Sequence, residues 1–286
     1  MKPFTYLTPD NLADAVQMLG RDAAQSKIIA GGQSLLLELK SRAARPTCLV
    51  SLAQVRELHG WRYAGDALEI GAATTYASLA AAPFAGWHAE IGAVAGNLAD
   101  RPVRNMATFG GSACQADPRF DVPNLIVGCD ASVTLVSGAG ERTIPAGAFF
   151  SPLGGTTLAP GEILKAITFP GLTHFSGVAF EKFRYRLFDA AIVSVCCALV
   201  VDDHGAISEA RISVGAVKKA PQLALGATAG LIGARRSEIS LDTLGGTVAD
   251  EILPEATVTS RHLRYQKELI KTLVRTAVSR AGEQGA

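Results

Sequence analysis

The chain has 286 residues, 19% of them charged, and a formal net charge of +1 at neutral pH. That length holds one large domain or two to three smaller ones around a substantial core, and so small a net charge supplies no global field toward nucleic acid or a membrane surface. The five cysteines, at positions 48, 114, 129, 196 and 197, contain no CxxC pair. This argues against a disulfide framework and against a zinc or iron–sulfur site built by this chain alone. The opening MKPFTYLTPDNLADAV lacks the apolar stretch of a signal peptide, and AAIVSVCCALVV (190–201) is too short to span a bilayer as a helix. With reduced thiols, the expectation is a cytoplasmic protein without membrane insertion and without nucleic acid as a partner.

In chain order, TPDNLADAVQMLG (8–20) reads as a helix. Thr8 or Asp10 can cap it, Leu12, Ala15, Val16 and Leu19 recur at helical spacing, and Gly20 ends it. SKIIAGG (26–32) is a short strand running into glycines. Leu35, Leu36 and Leu39 then mark one helix face, and TCLVSL (47–52) is a second strand, so the first ~55 residues form an α/β unit. Residues 67–81 read as strand, turn and helix, and 89–99 as a small-residue helix. Residues 101–137 are dense in Gly, Pro and Asp and end in an alternating strand; 141–150 and 161–170 supply strand and loop pieces. Beyond about residue 172 the pattern changes. Residues 178–186 and 191–217 read as antiparallel strands with a turn at Asp202–Gly205, followed by helices at LALGATAGLIG and 263–281. In the last helix Leu263, Leu269, Leu273, Val274 and Ala277 mark the buried face, with the basic residues outward. The expected divisions are 1–55, 56–172 and 173–286.

Three stretches carry the candidate chemistry. Ala30-Gly31-Gly32-Gln33-Ser34 places glycines between a strand and a helix, where converging backbone N–H groups suit a phosphate. The plainer alternative is that Ser34 only caps the helix. Neither GxGxxG nor the P-loop pattern is present. Thr108-Phe109-Gly110-Gly111-Ser112 is a second Gly-Gly-Ser, and two such loops could hold a diphosphate between them, although each alone is also an ordinary turn. Asp117 and Asp121, in ADPRFDVP, would repel phosphate, so as ligands they would accept from sugar or ribityl hydroxyls or an adenine amine; otherwise they shape a surface loop. Lys182 is a cation in a strand, alternatively paired with its neighbour Glu181. Cys114 follows the second glycine pair and reads mainly as a small buried side chain, as do Cys196 and Cys197. The histidines at 59, 88, 174, 204 and 262 form no HxxH or HxxxH pair, so no metal site is expected.

Taken together, AGGQS, TFGGS, ADP and DVP, in that order and spacing, resemble the FAD-binding medium subunit of the molybdenum hydroxylases, the carbon monoxide dehydrogenase and xanthine dehydrogenase type. The likeness continues through PGEIL (160–164), FEKFRYR (180–186) and DAAIVSVCCALV (189–200), so it covers essentially the whole chain. The resemblance implies an α+β fold: two N-terminal α/β subdomains clasping FAD (PCMH-type) and a C-terminal domain of antiparallel sheet and helices. It implies that Ala30–Ser34 and Thr108–Ser112 wrap the pyrophosphate, with Gly31, Gly32, Gln33, Phe109, Gly110, Gly111 and Ser112 among the contacts. Asp121 would serve the ribose or ribityl region, with Asp117 a further cofactor contact, Leu164 would pack near the adenine or flavin, and Lys182 would lie beside the ring system, where a cation favours the reduced flavin. Thr75, with Thr74 and Tyr76, is a further candidate. Phe109 stands where the family usually has isoleucine, and Tyr76 where it often has His or Gln, so the packing around the flavin is where this chain departs.

The implied activity is that of an oxidoreductase subunit, with no catalytic acid or base of its own. Electrons would pass from 2Fe–2S clusters of a small partner subunit through FAD to NAD+, oxygen, a quinone or another acceptor. A large molybdopterin subunit would hydroxylate the substrate, and the assembly would be a dimer of heterotrimers. The rival readings are a free-standing FAD-dependent oxidase or dehydrogenase and a non-catalytic nucleotide-binding assembly module.

Overall fold

The computed structural model describes residues 3–284; positions 1, 2, 285 and 286, the outer ends of the expected first and last divisions, lie outside it. The first unit contains β1 (Thr5–Leu7), α1 (Leu12–Gly20), β2 (Ser26–Ile29), α2 (Leu35–Ser41) and β3 (Cys48–Ser51). Its three strands form a parallel sheet in the order β1-β3-β2. The helix α1 starts later than Thr8 or Asp10 would place it. Asn11 is the cap, its side chain accepting from the Asp14 N–H at 2.9 Å, which satisfies an end donor that neither earlier residue reaches.

The second unit begins with β4 (Trp61–Ala64), β5 (Ala67–Gly71) and α3 (Tyr76–Ala80). Four helices follow: α4 (Ala89–Gly96), α5 (Arg101–Met106), α6 (Phe109–Gln115) and α7 (Asp121–Gly128). It closes with β6 (Ser132–Ser137), β7 (Gly140–Pro145), α8 (Ala146–Phe149) and β8 (Ile163–Phe169). The strands form an antiparallel sheet, β4-β5-β8-β6-β7. The Gly/Pro/Asp-rich stretch from 101 thus forms three short helices before β6. Side chains start two of them: Asp100 accepts from the Val103 N–H at 2.9 Å, and Thr108 from the Gly111 N–H at 3.1 Å.

The third unit comprises β9 (Gly177–Phe183), β10 (Val193–Val201), β11 (Ile207–Gly215), β12 (Gln222–Leu223), α9 (Leu225–Ala229), α10 (Leu241–Ile252) and α11 (Arg261–Gln284). Its antiparallel sheet, β12-β11-β10-β9, is covered on both faces. Val195, Cys197 and Leu199 pack toward α10 and α11, while Cys196 and Ala198 join the core of the second unit. Two buried faces explain the unbroken apolar run of β10. α10 is absent from the sequence expectations: Gly245, Gly246, Thr243 and Thr247 dilute its helical signal. α11 corrects the idea that its basic residues all face outward. Lys267 is buried and pairs with Asp250 and Glu255, each at 2.8 Å. Arg280 turns inward to Glu181 and to buried Glu90 of α4, which also accepts the Phe180 N–H at 2.7 Å. This ionic cluster ties the last unit to the second.

Among the described residues no helix is long and apolar enough to cross a membrane. The five cysteines are unpaired, including Cys129 and Cys196, whose sulfurs lie 3.8 Å apart in the core.

α7 is buried along its entire length, packed on β10 and β11 and beside α6. A Cβ built at Gly128 would lie 2.5 Å from the Cys196 Cβ and 2.6 Å from the Ser213 Oγ. Gly128→Ala should therefore lower unfolding free energy by about 1–3 kcal/mol through overpacking, measured by urea denaturation.

Candidate functional site

A cavity of about 630 Å³ opens between the first two units. One wall is the end of β2 and the start of α2, from Ile28 to Leu35. The facing wall is the Leu98–Ala99 loop, Val103 and the start of α6, and Leu158–Leu164 closes a third side. The two Gly-Gly segments meet at its base. A Cβ at Gly31 would lie 2.0 Å from the Met106 carbonyl oxygen and 2.8 Å from the Ala107 Cα. No side chain fits between these backbones, which is why glycine stands at position 31. Gly32 has φ of +71°, a left-handed conformation natural to glycine, and turns the chain into α2.

The two segments use their backbones differently. Among the described residues, the N–H groups of Gly31, Gly32, Gln33 and Ser34 find no protein acceptor. The Ser34 side chain makes no capping bond, so the capping alternative is not what the structure contains, and its hydroxyl stays available. In the second segment the amides from Phe109 to Ser112 all have acceptors. Phe109 N–H donates to the Thr74 carbonyl and Gly110 N–H to that of Ala72, both at 2.9 Å. Gly111 N–H donates to Thr108 Oγ1, and Ser112 N–H to the Thr108 carbonyl at 3.0 Å. This segment therefore offers the cavity the hydroxyls of Thr108 and Ser112 and the close approach of its glycines.

The cavity brings together ten of the residues singled out in the sequence: Ala30, Gly31, Gly32, Gln33, Ser34, Thr108, Gly110, Gly111, Ser112 and Leu164. Five others do not line it. Thr75 caps α3, its hydroxyl accepting from the Ser78 N–H. Phe109 is buried in the core against Phe169. Asp117 is held by a bidentate pair with Arg119, which keeps its carboxyl below the usual range. Asp121 and Lys182 form a buried ion pair with each other. Burial pushes the Asp121 carboxyl up and the Lys182 charge pulls it back down; Glu181, the alternative partner for Lys182, belongs to Arg280 instead.

Lys182 nevertheless acts on the cavity wall. Its Nζ also donates to the Asn97 carbonyl at 3.2 Å. Arg184 donates to that carbonyl at 2.9 Å and to Asn97 Oδ1 at 2.6 Å. Arg104 donates to the carbonyls of Leu98 and Ala99 at 2.8 and 2.7 Å. Three cations thus fix a turn in which Ala99 holds a φ of +41°, and Lys182 and Arg184 reach it from the third unit.

Two lining residues carried weaker sequence signals. Tyr76 is buried, faces the Ser112 hydroxyl and has its phenol pKa driven up by burial. Cys114 also lines the cavity, and burial pushes its thiol up to about 12, so it is no thiolate at neutral pH. Leu98, Ala99, Glu38 and Gln115 were missed, because nothing local to them points to a ligand.

The donor set suits a diphosphate-bearing ligand, with free amides and hydroxyls on one side and an apolar trough on the other. Two family models match the chain. The FAD-binding domain of molybdopterin dehydrogenases matches residues 2–172, and the C-terminal domain of the carbon monoxide dehydrogenase flavoprotein matches residues 178–281. The chain belongs to this flavoprotein family. It therefore carries an FAD-binding domain, is an oxidoreductase subunit, and has the α+β architecture that the resemblance implied. Among relatives, the 6-hydroxypseudooxynicotine dehydrogenase complex subunit alpha of Paenarthrobacter nicotinovorans is 35% identical over 75% of this chain and 73% of its own. The carbon monoxide dehydrogenase medium chain of Afipia carboxidovorans is 31% identical over 97% of this chain and 96% of its own. Among solved structures, quinoline 2-oxidoreductase of Pseudomonas putida 86 superposes with a TM-score of 0.88 at 29% identity, covering 100% of this chain and 99% of its own. Carbon monoxide dehydrogenase of Hydrogenophaga pseudoflava, lacking the Mo-pyranopterin moiety, gives 0.90 at 28% identity with the same coverage.

The buried pair in this flavoprotein yields a stability test. Lys182→Met leaves Asp121 buried without its ion-pair partner and should cost about 3–5 kcal/mol in denaturant unfolding. Combining it with Asp121→Leu should recover most of that loss.

Proposed function

We propose that this chain is the electron-transfer subunit of a heteromeric molybdenum hydroxylase. It would bind FAD between its first two units and accept electrons from 2Fe–2S clusters on a small partner subunit, while a large molybdopterin subunit acts on the substrate. The observation that carries the reading is the set of unpaired amides at Gly31–Ser34 on a cavity of about 630 Å³, in a chain of this family. Bound FAD exchanges electrons singly or in pairs, and so can join one-electron clusters to a two-electron acceptor.

The chain's own part is binding and orientation. In this reading the Gly31–Ser34 amides and the Ser34, Thr108 and Ser112 hydroxyls hold the diphosphate. Leu164 packs against a ring, and Tyr76 closes the cavity beside Ser112. Asp121, Lys182 and Arg184 act through Asn97 to keep the Leu98–Ala99 wall in place. Phe109 contributes core packing, Thr75 caps a helix, and Asp117 fixes Arg119. Among the described residues no group of three or more His, Cys, Asp or Glu is placed to hold a metal ion; the clusters in this reading are carried by the partner. Free thiols throughout agree with a cytoplasmic setting. The curated relatives include named subunits and chains of dehydrogenase complexes, and a dimer of heterotrimers is the assembly we favour.

Co-purification tests the assembly. The tagged chain should elute with iron- and molybdenum-containing partners, and adding the complex's substrate should bleach the flavin absorption. A chain that stays alone and turns over a substrate unaided would mark a free-standing oxidase.

Gly31→Val and Gly32→Val test the cofactor site itself. Gly31→Val also has to push the Met106–Ala107 backbone away, whereas Gly32→Val strains only the left-handed turn into α2. Both should reduce flavin content at least about tenfold, the loss expected when more than ~1.4 kcal/mol of binding goes, and a melting curve on each separates lost binding from lost fold. A full flavin complement in both variants would remove this loop from the cofactor's contacts.

A further inference from the structure

We propose that Glu38 is a latch on the cavity, a positioning residue whose carboxylate ties the two walls together and whose release governs how fast FAD leaves. The inference rests on the FAD reading above. Glu38 lies one turn into α2, the helix that follows the first glycine segment, and Gln115 is the last residue of α6, the helix that contains the second. Both line the cavity. Glu38 Oε1 accepts from Gln115 Nε2 at 2.9 Å, and Oε2 accepts from Lys27 Nζ at 3.3 Å. A carboxylate has only acceptors, so the amide must present its NH2 group to it.

The latch sits at the rim. The side chains of Lys27 and Glu38 are 50% and 27% exposed, so these bonds can open through rotamer changes alone, on the fast timescale of exposed side chains. A second contact between the walls, Gly31 against Met106 and Ala107, is backbone on backbone and cannot open without moving both segments.

Charge gives Glu38 a second effect. Lys27 is the one Lys, Arg or His among the described lining residues, and it is engaged by Glu38. The pair is neutral as a unit, so Lys27 offers a dianionic diphosphate no free positive charge. Glu38→Gln retains a carbonyl oxygen for Gln115 and frees the Lys27 charge, whereas Glu38→Ala loses the bond to Gln115 and the charge together. The two effects are therefore separable.

The test is FAD release from the full-length flavoprotein, followed by recovery of flavin fluorescence on dilution, with melting of the apo forms measured in parallel. Glu38→Ala and Gln115→Ala should each release FAD roughly three- to tenfold faster, the range expected for one partly exposed hydrogen bond. The double variant should be no faster than the singles, because they share that bond. Glu38→Gln should release FAD at close to the wild-type rate and bind it faster at low ionic strength, an advantage that salt removes. Unchanged release in the alanine variants, additive effects in the double, or failure of Glu38→Gln to restore slow release would each overturn the latch. An apo form that melts early does not blur the result, because rescue by Glu38→Gln decides it. A wild-type chain that takes up no FAD would overturn the cofactor reading itself, and the latch with it.

Discussion

The site depends on one contact between two stretches of main chain. Gly31 lies against the Met106 carbonyl and the Ala107 Cα so closely that no Cβ can be placed there. This approach brings α2 and α6 to a common cavity although they belong to different units and different sheets. It also divides the work between them. The second segment spends its amides on Ala72, Thr74 and its own Thr108 cap, and so is stitched to the five-stranded sheet. The first makes no such bonds over Gly31–Ser34 and presents those donors to the cavity. One segment is rigidly placed and the other is left to bind.

The electrostatics follow the same division. Free cations are not gathered inside the cavity, where Lys27 is already paired with Glu38. An anionic group there would be met by amide dipoles and hydroxyls, which are directional and need no counter-charge. The strong cations sit behind the wall. Lys182, Arg184 and Arg104 converge on the carbonyls of residues 97–99 and hold a turn whose backbone is strained at Ala99. Two of these three come from the C-terminal unit, which thereby shapes a cavity it does not itself line. Glu90, accepting from Phe180 and Arg280, anchors the same pair of units at a second point.

Much of the fold could be read from local pattern. The strands around 26–32, 47–52 and 191–217 alternate or run apolar as their burial requires, and the glycine segments announce themselves by composition. The misses share a cause. α10 carries two glycines and two threonines, and its stability comes from packing against α11 rather than from helical propensity. The first helix takes its cap from Asn11 because backbone geometry selects among the polar residues TPDN. At the site, Thr75 and Tyr76 are neighbours in sequence, yet only the tyrosine reaches the cavity; the threonine is turned back onto its own helix. Phe109 replaces an expected isoleucine without entering the cavity, since its side chain fills the core against Phe169.

Sequence alone determined the glycine segments, their order and spacing, the family and the broad α+β plan. These rest on local requirements, such as main-chain geometry that only glycine meets and periodicities of two and 3.6 residues. Tertiary structure alone decided which amides are left unpaired, that Lys182 answers Asp121 rather than Glu181, and that Glu38 meets Gln115 across the cavity. Those outcomes depend on partners 61 and 77 positions apart. Nothing in the local chemistry of a lysine or a glutamate specifies a partner at that separation; the stacking of the sheets and helices that carry them does.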